Sequence, residues 1–128
     1  MTNHNFKKQL GQNWLIDKTV IHDIIAANDL EQGSNVLEIG PGEGALTQAL
    51  LETNANVVAI EKDNDLISDL ESRFSSKWPD TFTLIHHDLR DVTLDTLFKH
   101  QRYCVIANIP YYLTGLIIKT LLSANHQP

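Results

Sequence analysis

The residues best suited to chemistry stand together at Asn108-Ile109-Pro110-Tyr111. The side-chain oxygen of Asn108 and the backbone carbonyl of Pro110 can each accept a hydrogen bond. Proline has no N–H and a fixed φ, which helps keep that carbonyl facing outward. The two N–H groups of an exocyclic adenine amine match such a pair. That nitrogen is a poor nucleophile because its lone pair is delocalised into the ring. Holding both N–H bonds would turn the lone pair toward an electrophile, a gain from proximity and preorganised polarity. Tyr111 could stack on the extruded base. No general base of shifted pKa is needed if the proton leaves after the new bond forms. The same four residues also read as a proline-terminated strand followed by an aromatic plug.

The second constellation is Glu38-Ile39-Gly40-Pro41-Gly42-Glu43-Gly44, with an acid, Glu61, about twenty residues on. Gly40 and Gly42 would let the backbone approach a ligand closely. The helix that follows presents free N–H groups and its positive dipole end. Taken alone, the loop also fits a plain tight strand–helix turn. An acid at the end of the next strand can accept both ribose hydroxyls of an adenine nucleoside. The spacing is G-x-G-x-G, not the G-x-G-x-x-G of nicotinamide-binding folds, and Glu43 would repel a pyrophosphate. S-adenosylmethionine has no phosphate and carries a sulfonium cation, so an acidic loop suits it better. Glu38 either reinforces that polarity or bonds neighbouring backbone N–H groups. Asp88 is placed to accept the exocyclic amine of the cofactor's adenine, or simply to cap a turn. His86 and His87 resemble half a metal site, but no cysteine or acid cluster completes it. Adjacent strand residues also face opposite ways, so no metal is expected.

These groups need a frame. Val20, Ile21, Ile24 and Ile25 recur at helical spacing behind Asp17, a suitable N-cap, and Gln32-Gly33-Ser34 marks a turn. Strands are expected at Asn35–Gly40, Asn56–Ile60, Phe82–Ile85 and Tyr103–Ala107. Helices are expected at Ala45–Glu52, from Asp63 with Leu66, Ile67, Leu70 and Phe74 on one face, at Leu94–His100, and at Gly115–Leu122. Trp78-Pro79-Asp80 ends the second of these. Alternating strands and helices imply a parallel α/β sheet with right-handed crossovers. Ligands bind such sheets beyond the carboxyl ends of the strands, here near residues 40, 61, 88 and 108.

The 128 residues suit one domain, 1–128, and the 42% hydrophobic and 20% charged fractions are those of a globular protein. No apolar run reaches the ~20 residues of a membrane span, so no membrane partner is expected. No signal-peptide stretch opens the chain, and the single cysteine, Cys104, allows no internal disulfide, which points to the cytoplasm. A net charge of -6 argues against nucleic-acid binding by this chain alone. Lys7, Lys8 and Lys18 form either a small basic arm or a solvated tail.

The sequence closely resembles the ribosomal RNA adenine dimethyltransferases. Leu10-Gly11-Gln12-Asn13-Trp14-Leu15-Ile16-Asp17 is similar to that family's amino-terminal F-G-Q-N-F-L motif. Leu10 and Trp14 stand in place of its phenylalanines. Glu38–Gly44 with Ala45-Leu46-Thr47 is similar to its E-I-G-P-G-x-G-x-L-T loop, and Asn108–Leu113 to its N-[IL]-P-Y segment. The resemblance implies a Rossmann-like S-adenosylmethionine-dependent methyltransferase fold. It implies that Asn13 and Leu15 line the methionine side of the cofactor, with Gly40 beneath it. Glu61 would hold the ribose, Asp88 and Leu89 the adenine, and Asn108 would meet both cofactor and target amine. The implied reaction is methylation of N6 on two adjacent adenines of small-subunit ribosomal RNA. Related enzymes act on the large subunit and confer macrolide resistance. A non-catalytic assembly or transcription factor on the same fold is a further alternative, as is a nicotinamide-dependent oxidoreductase.

By the same resemblance, the family continues past residue 128 with more strands and a helical RNA-binding domain. The chain then corresponds to the N-terminal cofactor-binding part, a truncated sheet. It should bind cofactor yet transfer methyl groups poorly or not at all, and meet ribosomal RNA mainly through the part that follows. Tyr103–Ala107 would be an open sheet edge with Cys104 close by, inviting self-association. A strand-end carboxylate need not belong to the core, so Glu61→Ala is expected to leave the chain folded.

Overall fold

The structure, a computed structural model, describes residues 17–107 and 111–128, apart from the Tyr111 side chain. Helix α1 is Lys18–Ala27, and Asp17 caps it by accepting from the Thr19 N–H at 2.8 Å. Its Ile21 is buried, with Ile24 and Ile25 packed beside it. Strand β1 (Asn35–Ile39) leads into helix α2 (Ala45–Glu52), and strand β2 is Asn56–Glu61. Helix α3 is Asn64–Leu70, capped by Asp63, whose carboxylate accepts from the Asp65 N–H at 3.0 Å. It runs on into a π-helical turn, Glu71–Ser75. Strand β3 is Phe82–His86, β4 is Cys104–Ala107, and helix α4 is Thr114–Leu122.

All strands are parallel, in the order β3-β2-β1-β4. Strand order therefore reverses beside β1, which has β2 on one side and β4 on the other. In an open α/β sheet a crevice opens at that switch point, beyond the carboxyl ends. The register lines those ends up, with Ile39 opposite Ile60 and Ala107, and Ile60 opposite Ile85. The loops starting at Gly40 and Lys62 leave the sheet side by side, and β4 ends at Ala107 beside Ile39.

Side-chain alternation divides the core between the two faces. Val36, Val57 and Ala59 join Leu46, Leu50, Leu51, Leu70 and Phe74 on the face covered by α1, α2 and α3. Leu37, Ile39, Val58 and Ile60 join Leu89, Leu94, Phe98, Tyr103 and Leu121 on the other. Both faces are buried, which is why β1 and β2 read as near-continuous apolar runs.

The expected helix at Leu94–His100 is replaced by a single 3-10 turn, Leu94–Thr96. Lys99 and His100 then take φ values of 52° and 64°, which a helix does not allow. The spacing of Leu94, Leu97 and Phe98 mimics a helical stripe. Its cause is packing: Leu94 and Phe98 are buried in the second core, and Phe98 stacks on Tyr103 at 5.1 Å between ring centroids.

Candidate functional site at the strand ends

Glu38 and Glu61 lie on the α2–α3 face, on neighbouring strands and offset by two residues, since Glu38 pairs in register with Ala59. Glu38 is 1% exposed, and its carboxylate accepts from the Thr47 hydroxyl of α2 at 2.7 Å. Its partner is thus a side-chain hydroxyl, not the backbone N–H groups considered from sequence. Burial pushes the Glu38 carboxyl up to about 7; the Thr47 hydrogen bond opposes this and repulsion from Glu61 adds to it.

Glu61 is 4% exposed, which corrects the expectation that it stands outside the core. One carboxylate oxygen accepts from the Gly42 N–H at 3.3 Å, the other from the Asp63 N–H at 2.9 Å. Burial raises its pKa, and these backbone bonds partly offset the rise. Glu61 is therefore the link between the glycine loop and the loop after β2.

Gly40 and Gly42 have φ of 68° and 59°, and the Gly40 N–H continues the ladder to the Ile60 carbonyl at 2.9 Å. Gly44 is required for a different reason from the one expected of a ligand loop. Its φ is 86°, and a Cβ there would stand 2.6 Å from the Phe74 ring. Helix α2 starts against that ring. Arg73, next to Phe74, donates to the Glu43 carbonyl and to the Asp69 carboxylate, the latter at 3.2 Å. Spacing along the chain gave no sign of Arg73. Thr47 was visible as part of a helix and of the loop motif, but not as the partner of Glu38.

Asp88 caps the 3-10 turn Leu89–Asp91, accepting from the Arg90 N–H at 3.0 Å, and pairs with the Arg90 guanidinium at 2.9 Å. Arg90 holds the Asp88 carboxyl down at about 2. The capping alternative is realised, and an adenine amine would have to share these oxygens. Leu89 is buried in the second core. Asn13, Leu15, Asn108 and Pro110 lie outside the described residues, as does the side chain of Tyr111. Ala107, the residue before Asn108, pairs with Ile39, the residue before Gly40. Among the described residues no group of three or more His, Cys, Asp or Glu is placed to hold a metal.

The sheet order, the glycine loop at the switch point and the acid closing β2 define the Rossmann-like fold of S-adenosylmethionine-dependent methyltransferases. The family described as ribosomal RNA adenine dimethylase matches residues 3–128, and the chain belongs to it. It is 42% identical over 121 residues to the ribosomal RNA small subunit methyltransferase A of Mycoplasmopsis pulmonis, covering 94% of this chain and 45% of that protein. Among solved structures, the 23S rRNA methyltransferase ErmE superposes with a TM-score of 0.75 at 28% identity, covering 90% of this chain and 45% of that one. A dimethyladenosine transferase from Plasmodium falciparum superposes at 0.72 and 27% identity, covering 90% and 40%. The chain thus spans about half the length of the relatives it matches or less.

Proposed function

We propose that this chain holds S-adenosylmethionine beyond the carboxyl ends of β1, β2 and β4. Within a family-length protein it would direct methyl transfer to N6 of adenines, two of them adjacent, in small-subunit ribosomal RNA. The observation that carries the reading is Glu61, buried at the end of β2 and bonded to the glycine loop. No lysine, arginine or histidine occurs from residue 35 to residue 61, while Glu38, Glu43, Glu52 and Glu61 do. That donor set fits a sulfonium cation with two ribose hydroxyls and does not fit a pyrophosphate.

When bound, S-adenosylmethionine supplies an electrophilic methyl group. In this reading Glu61 accepts the ribose hydroxyls, and Gly40 and Gly42 give the backbone close approach. Asp88 and Leu89 border the adenine, and Asn13 and Leu15 the methionine portion. Asn108 and the Pro110 carbonyl accept the two N–H bonds of the target amine and orient its lone pair. Tyr111 stacks on the base. The amine proton passes to solvent after transfer, so none of the raised carboxyls acts as the base.

The small-subunit target is favoured by the 42% identity to a small-subunit enzyme, against 28% to ErmE. Joined to the remaining half of a family-length relative, the chain should place labelled methyl groups on small-subunit RNA. Labelling of large-subunit RNA alone would overturn that assignment. Such an activity would act in the cytoplasm; among the described residues no helix is long and apolar enough to cross a membrane. Strand β4 is an edge of the described sheet. The chain by itself should therefore self-associate through that edge, which light scattering would detect.

A further inference from the structure

We propose that Arg73 is a positioning residue for the glycine loop, acting from the π-helical turn that follows α3; the inference rests on the cofactor reading above. The loop is fixed at three points. Glu61 holds the Gly42 N–H, and the Phe74 ring fills the space beside Gly44. Arg73 takes the carbonyl of Glu43, the residue between those two glycines.

Four features show how the Arg73 contact is set. The guanidinium lies 4.8 Å from the centre of the Phe74 ring, and its Asp69 partner is one turn back on α3. A cation over an aromatic face and an i,i+4 ion pair both restrict the long side chain. The turn carrying Arg73 and Phe74 is π-helical, a form found mostly as single turns and frequently at functional sites. Finally, Glu43 is in a loop of positive-φ glycines, whose peptide planes have many alternative orientations. A charged donor on one carbonyl selects one of them, and with it the direction of the neighbouring N–H groups.

Arg73 bonds the Glu43 carbonyl and the Asp69 carboxylate, so its effect on cofactor would be indirect. It is also partly exposed, with 38% of its side chain accessible, so its removal should spare the core. The test compares Arg73→Ala, Arg73→Lys and Asp69→Ala with the wild-type chain. It measures S-adenosylhomocysteine binding by calorimetry, exchange of the Gly44 amide in the ligand-free protein, and global stability in urea. Arg73→Ala should raise the dissociation constant about tenfold and speed Gly44 exchange, with the urea midpoint little changed. Arg73→Lys should recover most of the affinity, since an ammonium can still donate to the Glu43 carbonyl. Asp69→Ala removes one restraint on Arg73 but keeps its donor on the Glu43 carbonyl, so its effects on affinity and exchange should be clearly smaller than those of Arg73→Ala. Equal effects of Arg73→Ala and Asp69→Ala would mean that the ion pair alone matters, and would overturn the proposal. So would wild-type affinity in Arg73→Ala. A folded wild-type chain that binds no S-adenosylhomocysteine would overturn the cofactor reading itself, whatever Gly44 exchange shows.

Discussion

At the scale of single residues, the site is a pair of buried carboxyls with different work. Glu38 has one hydroxyl partner and a pKa raised to about 7 from 4.5, chiefly by burial. A raised carboxyl pKa means that the folded state binds the proton more tightly than the unfolded chain. Its contribution favours folding below pH 4.5 and is lost as pH rises through 7. Glu38→Gln keeps an oxygen for Thr47 and removes the charge. It should be more stable than wild type at pH 8 by roughly 1–3 kcal/mol and about equal at pH 4.5, as read by urea denaturation. A constant difference across that range would mean that Glu38 stays ionised throughout.

Glu61 bonds two backbone N–H groups, so Glu61→Ala should loosen the loop as well as weaken cofactor binding by roughly 1.5–3 kcal/mol in calorimetry. Unchanged affinity would make Glu61 purely structural. In a family-length protein, Asn108→Ala should slow single-turnover methyl transfer at least ~100-fold. Equal rates would remove its amine-positioning role. The acids at 61 and 88 could be placed from sequence because each follows an apolar run that must be a strand. The burial of Glu61 could not, since it depends on the loops that fold over the strand end. Asp88 illustrates the converse: both of its readings were open until the Arg90 side chain was seen to turn back on it.

At the scale of elements, hydrophobic periodicity served well where one face alone decides. Helix α2 has the expected bounds, Ala45–Glu52, and Asp17 caps as expected, while Asp63, expected to start its helix, stands one residue before it as the cap. It misled at Leu94–His100, where three apolar residues pack on the sheet from a turn. The π-helical turn was also invisible, because Leu66, Leu70 and Phe74 keep helical spacing while the hydrogen-bond pattern beneath them changes. That turn is where the element and the site meet. Phe74 is 1% exposed, with ring neighbours Phe82 at 5.5 Å and Trp78 at 6.0 Å. Phe74→Ala should cost about 3–5 kcal/mol of stability by opening a cavity. Gly44→Ala acts on the same contact from the other side. It adds a Cβ that must displace the ring and places alanine at positive φ, a combined cost of at least about 2 kcal/mol. Thermal or urea denaturation would measure both. A neutral Gly44→Ala would show that the loop does not sit against Phe74 as described.

At the scale of the whole molecule, a parallel sheet buried on both faces places four strand ends in one row. The order β3-β2-β1-β4 makes the gap between β1 and β4 the crevice. Alternating elements made a parallel sheet legible from sequence, whereas strand order needed the pairing itself. At the opposite end of the sheet the C-terminal segment is tied down. The Tyr103 hydroxyl donates to the His126 carbonyl at 3.0 Å, and the Asp95 carboxylate accepts from the His126 N–H at 2.7 Å. The half of the molecule proposed to bind ligand is thus formed by loops, with the C-terminal segment bonded at the other end. The net charge of -6 on the whole chain suits a cationic cofactor better than RNA phosphates. The central claim is that these loops hold an S-adenosyl nucleoside, and titration calorimetry tests it most directly. S-adenosylhomocysteine should bind the 128-residue chain 1:1 at micromolar affinity, about -8 kcal/mol, while NAD gives no heat. A folded sample that gives no heat with S-adenosylhomocysteine, or binds NAD equally well, would contradict the account.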